Sequence, residues 1–149
     1  MATTEPIFRL TVLGEPKAIQ SVKFARFGKF ARAYQPKANG DWKGYIKLCA
    51  IQELPEDWEM LDCPIKVVTQ FFFSPPKSFT KKKMQAIQNG EIIWKTTKPD
   101  LSDNLRKGLM DALTGVVWKD DSIICEDAGR KLYGMQPRIE LKVYKLEEI

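Results

Sequence analysis

Residues 65–73 read Ile-Lys-Val-Val-Thr-Gln-Phe-Phe-Phe and lie between Pro64 and the pair Pro75-Pro76. A run this rich in β-branched and aromatic residues is the mark of a central strand. The proline pair, which cannot donate to a ladder, ends it. A central strand needs neighbours, and the chain offers several. Ile7–Leu13 reads as a strand closed by Gly14–Pro16. Val22–Tyr34 reads as a hairpin turning near Phe27-Gly28, and shorter β-rich runs occur at Ile92–Lys95, Ser122–Glu126 and Ile139–Tyr144. Helical spacing of apolar residues predicts helices over Trp42–Gln52, Phe79–Gln88 (stopped by Gly90) and Leu101–Thr114 (stopped by Gly115). The expected class is α+β, with a mixed, mostly antiparallel sheet packed with helices. The 149 residues hold no repeat, low-complexity tract or linker, so residues 1–149 read as one domain, long enough to bury a core.

Composition closes off several chemistries. The chain has no histidine, which removes imidazole bases, histidine-dependent triads and histidine-ligated zinc. Its three cysteines, Cys49, Cys63 and Cys125, are dispersed and form no C-x-x-C pair, which argues against a disulfide framework or a thiolate zinc site. No stretch approaches the ~20 apolar residues of a membrane span, and the first residues lack the pattern of a secretory signal. The expectation is a cytoplasmic protein with reduced thiols and no membrane partner. Demanding chemistry is left to carboxylates, lysine, hydroxyls, or a metal held by oxygen.

Charge is distributed unevenly. Between Pro16 and Ala50 lie eight basic residues and one acid, interleaved with Phe24, Phe27, Phe30, Tyr34, Trp42 and Tyr45. A second basic knot, Lys81-Lys82-Lys83, falls at the start of a predicted helix, where cations oppose the helix dipole and phosphate contact is the more attractive reading. The net charge of +5 and a pI near 9.1 agree with a polyanionic partner.

The most informative segment begins at Lys98-Pro-Asp-Leu-Ser-Asp-Asn-Leu-Arg-Lys107 and continues through Asp111-Ala-Leu-Thr-Gly115 to Asp120-Asp121. At about 100° per residue, Leu105, Leu109, Ala112 and Val116 share one face of a helix and should point to the core. Asp103, Lys107 and Asp111 share the other, with Asp100 at the entrance. One reading of that polar face is an i,i+4 ion-pair ladder with Asp100 as an N-cap. The other brings in Asp120-Asp121. A strand after that pair, packed beside the helix, would gather carboxylates from two stretches. Such a cluster repels itself unless a cation neutralises it. Mg²⁺ suits oxygen ligands, one or two carboxylates and a substrate phosphate, and Lys107 is placed to orient the attacking water or to stabilise charge building on that phosphate.

This segment resembles the signature of the RusA family of Holliday junction resolvases, a K/R-x-D-x-D-N-L-x-K helix entrance, a D-A-L segment and a downstream D-D. Upstream, Gly14-Glu-Pro-Lys17, the hairpin with Gly28-Lys29 and Tyr34-Gln-Pro-Lys37 are similar too, so the likeness runs from about Phe8 to Val143. The chain departs at one point. Two residues, Leu101 and Ser102, separate the first two aspartates where the family has one, so the extra residue must be absorbed by a turn or bulge.

The resemblance implies a homodimeric, Mg²⁺-dependent endodeoxyribonuclease (Mn²⁺ as possible substitute) that resolves four-way DNA junctions by paired nicks. It implies Asp100, Asp103 and Asp121 as catalytic metal ligands and Lys107 as the catalytic lysine. Asp121 aligns with the second acid of the family pair, with Asp120 as the alternative. Lys17, Lys23, Arg26, Lys29, Arg32, Lys37, Lys81, Lys82 and Lys83 would contact DNA, and Phe24, Phe27 or Phe30 could serve as a wedge, the alternative for each being core or dimer packing. The rival expectations are a non-catalytic binder of branched DNA, suggested by the extra residue, and a less selective nuclease.

Overall fold

The computed structural model describes residues 5–18, 23–27, 30–34 and 37–148, with side chains for 5–18 and 41–148. Strand β4 (Ile65–Phe73) has the bounds expected of it and alternates buried with half-buried residues along its length. It lies inside a four-stranded sheet of order β1-β6-β4-β5, in which β1 is Phe8–Leu13, β5 is Ile124–Tyr133 and β6 is Arg138–Lys145. β6 pairs antiparallel with both β1 and β4, while β4 and β5 run parallel. The sheet is therefore mixed and mostly antiparallel, and the class is α+β as expected. β2 (Lys23–Phe27) and β3 (Phe30–Tyr34) form the anticipated hairpin, and the two turn residues lie outside the described residues.

One face of the sheet is the core. Phe8, Leu10 and Val12 of β1, Ile139, Leu141 and Val143 of β6, and Ile65, Val67 and Phe71 of β4 are all buried there. Helix α1 (Lys37–Glu53) contributes Trp42, Ile46 and Ala50 at a spacing of four, and it packs on β1 and on α3 (Lys107–Leu113). α3 buries Leu109, Ala112 and Leu113. Each large apolar side chain buried here stabilises the fold by about 1.5–3 kcal/mol.

Several boundaries differ from expectation. α1 begins at Lys37 rather than Trp42, because its first turn is polar and carries no apolar periodicity. α2 (Lys81–Gln88) begins at the N-cap Thr80, whose hydroxyl accepts from the Lys83 amide at 3.2 Å. That cap contributes about 1 kcal/mol against the adverse lysines. Ile92–Lys95 is no strand; it makes one bridge, Trp94 to Leu132, beside β5. β5 was expected to end at Glu126 and instead runs to Tyr133. The helix expected over Leu101–Thr114 is two structures joined end to end, a π-helical turn over Leu101–Arg106 and then α3.

Candidate active site

The chain enters the site through Asp100, whose extended backbone (φ −70°, ψ 138°) occupies the N-cap position. Its carboxylate makes no capping hydrogen bond. In the π-helical turn of Leu101–Arg106, Leu105 N–H donates to Asp100 O at 3.2 Å and Lys107 N–H to Ser102 O. Each of these bonds spans five residues, one more than in an α-helix. The turn lies where the chain carries its additional residue between Asp100 and Asp103. A wider ring absorbs that residue without rotating the helix beyond it, so Leu105 and Leu109 stay buried while Lys107 and Asp111 stay on the exposed side.

The second stretch is fixed by a strap. Leu61 pairs with Trp118 in a parallel bridge, with Leu61 N–H donating to Val117 O and Lys119 N–H to Leu61 O, both at 3.0 Å. Trp118 is fully buried, and its indole N–H donates to Thr114 Oγ1 at 3.0 Å. Asp120 and Asp121 come directly after. Asp120 caps a short 3₁₀ turn, Asp121–Ile123, accepting from the Ser122 amide at 3.4 Å, and β5 starts after it.

Between the helix and the start of β5 lies a cleft of about 280 Å³. Lys107 and Asp111 line it from the helix, Asp121 and Asp127 from the opposite wall, with Ser102 at one end. A hydrogen bond with Asp120 is the main reason that the Asp121 carboxyl is held above the usual carboxylate range; burial and repulsion from Asp120 and Asp111 add to it. Asp120 is lowered as the acceptor of the same bond and of the Ser122 amide.

Among the described residues, no ion pair joins Asp103 to Lys107 or Lys107 to Asp111, so the ladder reading fails. The structure does not gather Asp100, Asp103 and Asp121 into one group: among the described residues, no three carboxylate or thiol side chains stand close enough to hold a metal alone. Asp100 lies instead within electrostatic reach of Lys131. The donor set nonetheless fits a hard divalent cation. Asp111 and Asp121 face the same cleft, a cation there would offset the hydrogen bond and repulsion that hold the Asp121 carboxyl above its usual range, and Mg²⁺ needs only one or two carboxylates beside water and phosphate.

The sequence profile described as Endodeoxyribonuclease RusA matches residues 14–144. This chain belongs to the RusA family. A Bacillus subtilis (strain 168) protein described as uncharacterized protein YqaN is 33% identical to it over 138 residues, or 91% of this chain and 94% of that one. RusA-family proteins are divalent-metal-dependent endodeoxyribonucleases that resolve Holliday junctions. This RusA chain is accordingly a hydrolase of that class, and it binds branched DNA. Among the described residues, no helix is long and apolar enough to cross a membrane.

The DNA-contact residues expected of a RusA protein fall in three places. Lys17 holds its ammonium 5.6 Å from the centre of the Trp42 ring, beside an open cleft of about 410 Å³. Lys23, Arg26, Arg32 and Lys37 lie on β2, β3 and the start of α1, and their side chains are outside the described residues, as are Lys29 altogether and the candidate wedges Phe24, Phe27 and Phe30 as side chains. Lys81, Lys82 and Lys83 are exposed on the first turn of α2, with the Lys83 ammonium 4.2 Å from the Phe79 ring centre.

Sequence reasoning placed Asp111 on the polar face but not in the site, although its position four residues beyond Lys107 was the available signal. It missed Asp127 and Arg106 completely, since Asp127 lay past the expected end of its strand.

Proposed function

We propose that this chain, as one endonuclease domain, is a Mg²⁺-dependent resolvase that acts as a homodimer on four-way junctions. Two sites related by a two-fold axis suit the near two-fold symmetry of that substrate and would make paired nicks. Asp100, Asp103 and Asp121 are the proposed metal ligands, and Asp111 joins Asp121 in the same cleft. A divalent cation supplies charge neutralisation at the scissile phosphate and acidifies water. Lys107, on the helix wall of the cleft and free of an aspartate partner among the described residues, is available to orient the attacking water and to stabilise the phosphate charge as it builds. Lys17, Lys23, Arg26, Lys29, Arg32, Lys37 and Lys81–Lys83 are the proposed phosphate contacts, which position DNA without reading its sequence. Free Cys49, Cys63 and Cys125 accord with a reducing, cytoplasmic setting.

The observation that carries this reading is the shared cleft of Lys107 with Asp121. The π turn supports the catalytic form over the non-catalytic binder, because it accommodates the residue that motivated the latter. The test is nicking of a synthetic four-way junction with Mg²⁺ by wild type and Asp103→Asn. Symmetric nicks lost in the variant are expected. Tight junction binding with no nicking under Mg²⁺ or Mn²⁺ would reduce the protein to a binder, and equal cutting of plain duplex would reduce it to an unselective nuclease.

A further inference from the structure

The proposed chemistry leaves Arg106, Asp127, Gly129 and Lys131 unused, yet all four lie where one face of β5 meets the Asp100–Lys107 segment and the residues just before it. On β4, Val67, Thr69 and Phe71 face the core and are at most 1% exposed. Their lateral partners on β5 are Asp127, Gly129 and Lys131. The same face of β5 is therefore polar, tiny, polar, with Asp127 exposed and Gly129 and Lys131 half-buried. Resting on the assignment of Asp103 and Lys107 to the machinery, we propose that this face of β5 is a two-point clamp on the Asp100–Lys107 segment, with Arg106 and Lys131 as positioning residues.

The first grip is the Arg106 guanidinium, which donates to the Asp127 carboxylate. Arg106 is the last residue of the π turn and the neighbour of Lys107, so this bond sets the turn's phase. Gly129 makes the path for the arginine. A Cβ built there would stand 2.7 Å from Arg106 Cδ and 2.8 Å from Thr69 Oγ1, closer than real side chains approach. The second grip is Lys131, whose ammonium donates to the carbonyl of Pro99 at 2.6 Å and to that of Thr97. Pro99 immediately precedes Asp100. Four residues apart on one strand face, the grips are separated by about 13 Å and hold opposite ends of the segment.

The arrangement carries visible costs. A glycine inside a strand weakens it. Arg106 Nε and Thr69 Oγ1 are both buried without a hydrogen-bond partner among the described residues. Local violations of this kind gather where function requires them. Here they hold a carboxylate-bearing turn in one position relative to the Asp121 wall.

The test compares Arg106→Gln, Arg106→Lys, Asp127→Asn and Lys131→Met with wild type. Arg106→Gln is expected to slow single-turnover junction nicking about 100-fold, the scale of a ~1 Å misplacement. Junction affinity in EDTA should change less than about twofold, with Arg106→Lys recovering part of the rate. The double variant Arg106→Gln/Asp127→Asn should be no slower than the worse single one, since both break one contact. Amide hydrogen exchange over Leu101–Lys107 should quicken about tenfold in Arg106→Gln and Lys131→Met, with β4 and β6 amides unchanged. An unaltered nicking rate, or a loss traced wholly to junction affinity, overturns the clamp. So does unaltered exchange, a readout that works even if wild type cuts no junction: quickened exchange in an inert protein would sink the proposed function while sustaining the clamp.

Discussion

β4 and β5 lie side by side in parallel register, yet they are built for different purposes. At paired positions β4 presents Val67, Thr69 and Phe71, whereas β5 presents Asp127, Gly129 and Lys131. The first set is sealed in the core. The second lies on the edge strand against the Asp100–Lys107 segment and the residues just before it, with Asp127 lining the cleft. A buried central strand has to satisfy packing, and its sequence is correspondingly uniform. An edge strand whose ladder is supported by its neighbour can spend its inner face on polar contacts, so the site sits against β5 and not β4.

The contrast can be broken or sharpened by substitution. The largest effect is expected at the cleft itself: Asp103→Asn or Asp121→Asn should cut Mg²⁺-supported junction nicking by about 1000-fold or more, as several kcal/mol of charge stabilisation are lost, with the melting temperature little changed. Phe71→Ala on β4 should cost about 3–5 kcal/mol in urea unfolding while each folded molecule keeps its rate; Lys131→Met, its neighbour on β5, should show the opposite pattern. Thr69→Val removes a buried hydroxyl that has no hydrogen-bond partner among the described residues, at nearly constant shape, and should stabilise by about 1 kcal/mol, seen as a higher urea midpoint. The smallest effect concerns pH. The protonated form of Asp121 cannot hold a cation, so nicking should rise with pH through the elevated range of this carboxyl. Asp120→Asn removes the largest cause of that elevation, and the acidic limb of the pH–rate profile should then move to lower pH.

Legibility from sequence followed the same divide. β4 is legible to the residue because its signal is entirely local: a β-branched and aromatic run between prolines. The buried face of the helix, Leu105, Leu109 and Ala112, was legible from periodicity. β5 is legible only as far as Glu126 because Asp127-Ala-Gly-Arg-Lys131 has neither alternation nor β-propensity, and a glycine in its middle. Those residues are strand because β4 offers them a ladder. Asp111 escaped for a related reason: its proximity to Asp121 depends on the Leu61–Trp118 strap.

The amino-acid order alone determined which segments bury apolar surface, the polarity of the helix face and the motif that marks a RusA protein, since each is written in spacings of a few residues. Only the tertiary structure decided that the extra residue becomes a π turn, that Asp121 shares its cleft with Lys107 and Asp111, and that β5 grips the turn from below. Those outcomes depend on groups distant in sequence competing for the same space and the same hydrogen bonds, and such competition leaves no local pattern to read.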